Sequence, residues 1–471
     1  MHTKQPALVD THAHLDGSRF ADDLDLVLKR AADAGVRSII TVGCDLESSR
    51  ASVRLAKESN TQQSPQQLPR IYASVGVHPH DASDLTPEMI EELRTLAQNN
   101  VVVAIGETGL DYFRNRSPRE QQLEAFRQQI RLAKECDKPL IIHDRDAHAD
   151  ILEVMRAENA QECGGVLHCF SGDVEMANAC LDMGFYISFT GNITYPKNEV
   201  LRDVIRNIPL ERILVETDCP YMAPQSKRGK RNEPAYTTET AGKIAELRGL
   251  TLHDIARITS LNAYELFGVG QVDQAVKIAY RIRNSLYLNI TNRCTNNCTF
   301  CTKFQDFKVK GHQLKLEHEP NVQEIIDAIG DPREYEEIVF CGYGEPLLRL
   351  DCVIVVAQWL KQHGAKVRIN TDGQANLVYG RNVLPDLEGL MDSISVSLNA
   401  SSAEEYQRLC RSKFASAGYN AVKEFIREAT KYIPQVTASA VTVPGVDIDA
   451  CAAIATELGA EFRKRIYNEV G

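Results

Sequence analysis

No apolar run in this chain approaches the ~18 residues that a membrane-spanning helix needs. The longest, around Cys352–Leu360, is short and broken by Gln358, so no membrane association is expected. The segment Met1–Asp10 lacks the apolar core of a secretory signal, and export is not expected. The three Asn-x-Thr sequons, starting at Asn192, Asn289 and Asn297, are then chance matches. Positive charge is not in excess either. Against 64 acidic side chains there are 53 basic ones, giving a formal charge of −11, with −9 in residues 1–270 and −2 in residues 271–471. A globally basic face is excluded, so any contact with nucleic acid has to be local or metal-mediated. Short-period repeats and low-complexity tracts are missing, and the Gln-rich stretch Thr61–Gln67 reads as a surface loop.

The composition that remains, 43% hydrophobic and 25% charged, is globular and excludes long-range disorder or a collagen-like chain. A length of 471 residues suits two or three domains. Thirteen cysteines, an odd number without an export signal, point to a reducing, cytoplasmic setting with thiols free, catalytic or metal-bound.

The first 268 residues alternate strand-like and helix-like segments. Strands are expected at Leu8–Leu15, Ser38–Cys44, Ile71–His78, Val102–Thr108, Pro139–Asp144, Gly165–Phe170, Phe185–Gly191 and Ile213–Cys219. Helical periodicity marks Pro118–Cys136, Asp173–Met183, Thr237–Arg248 and Thr251–Phe267, the last with Thr251 as N-cap. Eight strands with helical crossovers predict a parallel (β/α)8 TIM barrel in an α/β protein. The pattern breaks at Gly268-Val-Gly270 and a polar connector follows. Six further strands are expected, at Leu286–Thr291, Glu337–Cys341, Lys366–Thr371, Ser393–Leu398, Val436–Val443 and Glu461–Tyr467. They predict a (β/α)6 sheet or partial barrel. The expected division is a barrel over 1–268, a linker over 269–283 and a second domain over 284–471.

Asp10-Thr-His12-Ala-His14 ends the first strand, and residues two apart share a strand face. Glu107 closes the fourth strand, His143 the fifth and Asp218 the eighth, while His168 lies near the end of the sixth. Such residues at the C-terminal ends of barrel strands stand where this fold carries its chemistry. Imidazole with carboxylate suits Zn, Mn, Fe, Co or Mg. Six ligands exceed one open catalytic zinc site and suit two ions bridged by a carboxylate. Glu107, central in strand order, is the bridge candidate. Two metals about 3.5–4 Å apart activate water and stabilise a leaving oxygen in phosphoester cleavage, and Asp218 is placed to hold one ion and orient or deprotonate that water. His78 and His80, at the end of the third strand, read as substrate contacts or as a solvated turn around Pro79. The basic loop Lys227-Arg228-Gly-Lys230-Arg231, which follows the eighth strand, is a candidate phosphate contact. The cysteines of this half, Cys44, Cys136, Cys163, Cys169, Cys180 and Cys219, show no ligand spacing and read mainly as core thiols.

Asp10-Thr-His-Ala-His-Leu-Asp16, Val75-Gly-Val-His-Pro-His80, Gly106-Glu-Thr-Gly-Leu-Asp-Tyr112, His168-Cys-Phe-Ser-Gly172, Glu216-Thr-Asp-Cys-Pro-Tyr221 and Arg231-Asn-Glu-Pro234 resemble the TatD family of metal-dependent deoxyribonucleases. The resemblance runs through residues 8–267. It implies an amidohydrolase-type barrel, divalent-metal phosphodiesterase activity and a nuclease acting from DNA ends. The metal positions it implies are His12, His14, Glu107, His143, His168 and Asp218, with His78 as a substrate contact.

In the second half, Cys294-Thr-Asn-Asn-Cys298-Thr-Phe-Cys301 has the spacing Cys-x3-Cys-x2-Cys. Three thiolates on one loop leave one iron of a [4Fe–4S] cluster open to bind and reduce adenosylmethionine; a zinc site completed by His312 is the alternative. This is the motif of the radical S-adenosylmethionine superfamily, which residues 284–471 resemble, and in particular of the radical SAM proteins that accompany TatD-family enzymes. The resemblance places Phe300 near the adenine, and Gly342-Tyr-Gly344-Glu345 at the methionine amino group, with Tyr343 a departure from Gly-Gly-Glu. By position, Asn370, Ser397 and Asn399 are ribose and carboxylate contacts or plain strand caps. Cys341, Cys352, Cys410 and Cys451 are widely spaced and read as ordinary thiols. The resulting expectation is a bifunctional enzyme, with nucleic acid (DNA favoured) as substrate of the barrel and an external electron donor for the cluster. The alternatives are a barrel that hydrolyses a small phosphoester or cyclic amide, or one that merely docks nucleic acid for the radical domain.

Overall fold

The computed structural model describes residues 7–61, 68–270, 273, 275–304 and 306–467. Most of the Gln-rich stretch and part of the connector lie outside the described residues. The chain forms two compact units, Met1–Val272 and Asp273–Gly471. No described helix is long and apolar enough to cross a membrane.

In the first unit all eight strands are present: β1 (Leu8–Ala13), β2 (Val36–Val42), β3 (Arg70–Val75), β4 (Val102–Asp111), β5 (Leu140–Arg145), β6 (Gly165–Leu167), β7 (Tyr186–Phe189) and β8 (Ile213–Val215). They pair in chain order and in parallel. Runs such as Val36-Arg-Ser-Ile-Ile-Thr-Val42 are rich in β-branched residues and buried, as a parallel strand covered by helices requires. The barrel closes where Ala13 bridges Cys219. There His14 N–H donates to the Cys219 carbonyl (2.8 Å) and Asp218 N–H to the His12 carbonyl (2.9 Å). The buried Asp10 carboxylate ties the same junction, accepting from Thr217 N–H (2.9 Å) and Thr217 Oγ1 (2.6 Å). An inner apolar layer of Val9, Ile40, Val103, Ile141, Val166, Tyr186 and Leu214 packs with Ala263 and Phe267 of the helix Leu252–Phe267. That helix starts in a capping box between Thr251 and Asp254.

β6, β7 and β8 are shorter than the sequence suggests. Cys169 and Asp218 adopt φ of +41° and +55°, a left-handed backbone that ends a pleated strand. β4 is longer, running to Asp111 with Gly109 at φ +136°. A Cβ at Gly109 would fall 2.0 Å from the His143 carbonyl, so only glycine lets β4 lie against β5 here.

The second unit has seven strands in its main sheet. The six expected ones are β10 (Ser285–Leu288), β13 (Glu337–Phe340), β14 (Val367–Thr371), β15 (Ser393–Ser397), β16 (Gln435–Thr442) and β17 (Glu461–Ile466), paired in parallel in that order. The seventh, β9 (Ala279–Ile282), corrects the reading of 269–283 as linker alone. It pairs antiparallel with β10 at the sheet edge, where a polar-flanked segment can hydrogen-bond without burying both faces. A short hairpin, β11 (Lys308–Val309) with β12 (His312–Gln313), follows the cysteine loop.

Candidate metal centre and cysteine loop

The strand ends of the barrel converge on Glu107. Its Oε1 lies 2.8 Å from His143 Nδ1, 2.8 Å from His168 Nε2 and 3.4 Å from His78 Nε2. Its Oε2 lies 3.4 Å from His12 Nε2 and 3.8 Å from His14 Nε2. Asp218 Oδ1 completes the second side, 3.3 Å from His14 Nε2 and 3.8 Å from His12 Nε2. His12 Nε2 and His14 Nε2 face one another at 3.3 Å, and the His12 and His168 rings stack with centroids 3.9 Å apart. Three groups have ligand atoms all within 4.8 Å of one another: His12–His168–Asp218, His12–His14–Glu107 and His78–Glu107–His143. The structure thus gathers all six expected metal residues and adds His78 to the inner set, closer in than a substrate contact at the rim.

This donor set fits divalent cations. Several imidazole nitrogens and carboxylate oxygens point into one buried space, where lone pairs facing each other without a cation would be unfavourable. The carboxylate and imidazoles also compensate one another's charge. Burial raises the cost of charge on Glu107, yet the charge of His168 and hydrogen bonds from His12 and His143 hold its carboxyl well below the usual range. Burial also opposes a charged His168, but Glu107 and Glu216 push it up to about 10. His78 is pushed down to about 4 by burial and is neutral at physiological pH.

Neighbouring groups orient these ligands, and several escaped the sequence reading. Glu216, fully buried, accepts from Cys169 N–H (2.6 Å) and lies 3.4 Å from His168 Nδ1. Asp111 Oδ2 contacts His80 Nε2 (2.8 Å) and His143 Nε2 (3.4 Å), so His80 is a partner of Asp111. Cys44, read as a core thiol, instead stands at the centre, with Sγ 3.6 Å from both His14 Nδ1 and Glu107 Oε2. Cys219 is fully buried and Cys169 faces Thr190 (3.7 Å).

The basic loop divides. Arg228 and Lys230 are exposed, with Arg228 lying over the Tyr195 ring at 5.1 Å. Arg231 corrects the expectation of a phosphate contact. It makes a two-pronged ion pair with Asp23 (2.8 and 2.7 Å), reaches Glu233 (3.1 Å) and donates to the Arg19 carbonyl (2.6 Å). Its guanidinium is committed to holding loops together.

In the second unit Cys294, Cys298 and Cys301 sit half-buried on one loop after β10. Backbone bonds fasten it to the end of the helix Ala403–Cys410: Asn297 N–H to the Cys410 carbonyl (2.9 Å) and Thr299 N–H to that of Leu409 (2.8 Å). The Cys410 thiol beside it, with burial, drives the Cys298 thiol strongly up, so Cys410 adjoins the loop despite its distance in sequence. Phe300 packs at the margin of this unit's core. Gly344 passes so close to the segment after β10 that a Cβ would meet the Thr291 carbonyl at 2.2 Å, and Gly342 similarly faces Asn289. Glu345 is buried and accepts from Thr371 Oγ1 (2.9 Å), Leu347 N–H (2.9 Å) and Asp372 N–H (2.5 Å). Asp372, in the same strand-end motif as Asn370, lies 3.7 Å from Cys294 Sγ and is bonded to Thr295. Burial raises both carboxyls, and the charge of Asp372 adds to the rise of Glu345. Asn370 Oδ1 accepts from Arg368 (2.8 Å) and Ser397 Oγ lies 3.5 Å from Arg465. Asn399 accepts from Val441 N–H (3.3 Å), as a strand cap does.

A closed eight-stranded barrel with imidazoles and carboxylates gathered at its strand ends defines a metal-dependent hydrolase. The chain belongs to the TatD related DNase family, whose model matches residues 9–268. Residues 288–458 match the Radical SAM superfamily. The metal-dependent hydrolase YabD of Bacillus subtilis is 42% identical over 262 residues, covering 56% of this chain and 99% of that protein. The 3′-5′ ssDNA/RNA exonuclease TatD of Salmonella typhimurium is 36% identical over 267 residues, 56% of this chain and 99% of its own. The crystal structure of the TatD homologue YJJV from Escherichia coli K12 superposes with a TM-score of 0.52 at 32% identity, covering 56% of this chain and 98% of the other. The families imply divalent metals for the barrel and an iron–sulfur cluster with adenosylmethionine for the second unit.

Proposed function

We propose that the barrel hydrolyses phosphodiester bonds of nucleic acid, DNA in preference. The observation that carries this reading is Glu107, whose two oxygens face two separate sets of imidazoles. His12, His14 and Asp218 would hold one cation and His143 and His168 the other, with Glu107 between them. Bound there, two divalent ions generate a nucleophile from water and offset charge on the leaving oxygen. Asp218 Oδ1 takes the proton of the attacking water. Burial opposes its ionisation, but His14, His12 and His168 hold its carboxyl below the usual range, so it is a base at neutral pH. Neutral His78 orients Glu107 through Oε1. Arg228 and Lys230, exposed after β8, supply counter-charge to the phosphates. The Salmonella relative, named as an exonuclease on single-stranded DNA and RNA, supports the choice of polymer.

The second unit is proposed to hold one [4Fe–4S] cluster on Cys294, Cys298 and Cys301. Bound there, such a cluster would supply one-electron reduction of adenosylmethionine, with the electron drawn from an external donor. Phe300 lies within this cysteine loop, and the Gly342–Gly344 turn and Asp372 border it. The test is anaerobic preparation of the full chain with metal and sulfide analysis, followed by turnover of single-stranded DNA by wild type, His143→Ala and Asp218→Ala. Hydrolysis lost in both variants is expected; undiminished hydrolysis would defeat the reading.

A further inference from the structure

Within the barrel unit, two aromatic rings are more than half exposed among the described residues: Phe113 at 57% and Tyr221 at 53%. A single exposed ring needs no explanation. These two, however, both follow strands that end at the metal centre. Phe113 stands two residues beyond Asp111, the last residue of β4, and Tyr221 three residues beyond Asp218. The Tyr221 ring lies 6.1 Å from that of His14, on the Oε2 side of Glu107. The Phe113 ring is covered at 4.0 Å by Arg145, two residues beyond His143, which contacts Oε1. One ring therefore accompanies each side of the shared carboxylate.

Each ring also carries a guanidinium: Arg145 and Arg114 (5.7 Å) at Phe113, and Arg19 (5.4 Å) at Tyr221. No carboxylate pairs with these three guanidiniums among the described residues. By contrast, Arg119, stacked at 4.2 Å on the less exposed Tyr112, is tied to Asp150. In a half of the chain with net charge −9, cations left unpaired beside exposed rings mark a place for a ligand that is both anionic and flat. Unpaired nucleotides have that chemistry: any base offers a π-face for stacking, and each link carries a phosphate.

We infer that Phe113 and Tyr221 stack on unpaired bases on either side of the scissile phosphate, with Arg145, Arg114 and Arg19 against the neighbouring phosphates. The inference rests on the nuclease reading and deepens it. A duplex keeps its bases stacked inside and cannot use the rings, so the arrangement selects single strands.

The test measures binding and hydrolysis separately on the full chain. Binding of a short fluorescein-labelled oligothymidylate is followed by anisotropy for wild type, Phe113→Ala, Tyr221→Ala and the aromatic replacements Phe113→Tyr and Tyr221→Phe. Each alanine variant is expected to weaken binding roughly tenfold, the aromatic replacements much less. In hydrolysis, the ratio of kcat/KM for the oligothymidylate to that for bis(p-nitrophenyl) phosphate should fall about tenfold per ring removed, mainly through KM. Weaker binding by the alanine variants with no hydrolysis by wild type would keep the stacking site and reject the nuclease. Hydrolysis by all forms with equal binding and an equal ratio would overturn the stacking site and keep the nuclease. Neither binding nor hydrolysis by wild type would remove both.

Discussion

Replacing Glu107 by Gln keeps the side chain's shape and removes its charge. The carboxylate makes two contacts of 2.8 Å through Oε1, to His143 and His168, besides longer ones to His78 and His12. A hydrogen bond to a charged group contributes about 1.5–3 kcal/mol, so two amount to about 3–6 kcal/mol. With cations taking the place of those two donors, an interaction with the charged oxygens at least as strong is lost, which at about 1.4 kcal/mol per factor of ten is a loss of roughly 10²–10⁴ in metal affinity and in hydrolysis rate. Metal content after dialysis, by mass spectrometry, and turnover of bis(p-nitrophenyl) phosphate with added Mn²⁺ report the two losses. Circular dichroism checks that the barrel is intact. The metal-free protein offers a second reading. There Glu107 and Glu216 overcome burial and lift His168 from 6.5 to about 10. That stabilisation is full below pH 6.5 and is lost as the pH rises through about 10. Glu107→Gln should therefore destabilise the metal-free protein more at pH 6 than at pH 10. A variant that binds metal and turns over within about tenfold of wild type would refute the shared-carboxylate reasoning.

Burial lifts Asp10 from 3.8 to about 8, so its contribution to stability is full below 3.8 and is lost as the pH rises through about 8. In the metal-free protein, Asp10→Asn should gain on wild type between pH 5 and pH 8.5 in urea melts, a trend opposite to that of a paired carboxylate. Neutralising Lys227, Arg228 and Lys230 together should raise KM for DNA several-fold with metal content unchanged. Arg231→Ala should instead lower the unfolding midpoint, by about 1 kcal/mol in stability for its half-exposed ion pairs, measured in the same melts. Cys298→Ala should abolish the iron–sulfide absorbance of anaerobically reconstituted protein, which in wild type should correspond to about four irons per chain, and should leave the barrel's hydrolysis intact.

Much of the barrel was legible because its ligands end its strands. His12, His14, Glu107, His143, His168 and Asp218 each follow an apolar, β-branched run, and their place toward or just beyond the C-terminal ends of parallel strands brings them to one rim. What escaped depended on contacts between distant segments. Cys44 carries no ligand spacing, yet the pairing of β1 with β2 delivers its thiol to His14. Cys410 is separated from Cys298 by more than a hundred residues, and only the docking of the helix Ala403–Cys410 brings them together. Arg231 lies in a basic run indistinguishable from a phosphate loop until Asp23 folds against it. β9 was hidden because an edge strand with one neighbour needs no continuous apolar run. The short ends of β6 and β8 follow from left-handed residues, Cys169 and Asp218, that propensity does not assign to a strand end.

The first and last strands of the barrel meet through a single bridge and a few backbone bonds, and His12, His14 and Asp218 sit on that join. A ring opens where it is least stitched, and here that spot carries half of the working groups. Mild heat or denaturant should then silence the enzyme while its spectrum still looks native, with excess cation reversing the effect by pinning the join. For this molecule, loss of turnover would serve as an early gauge of loosening, well ahead of collapse of the whole.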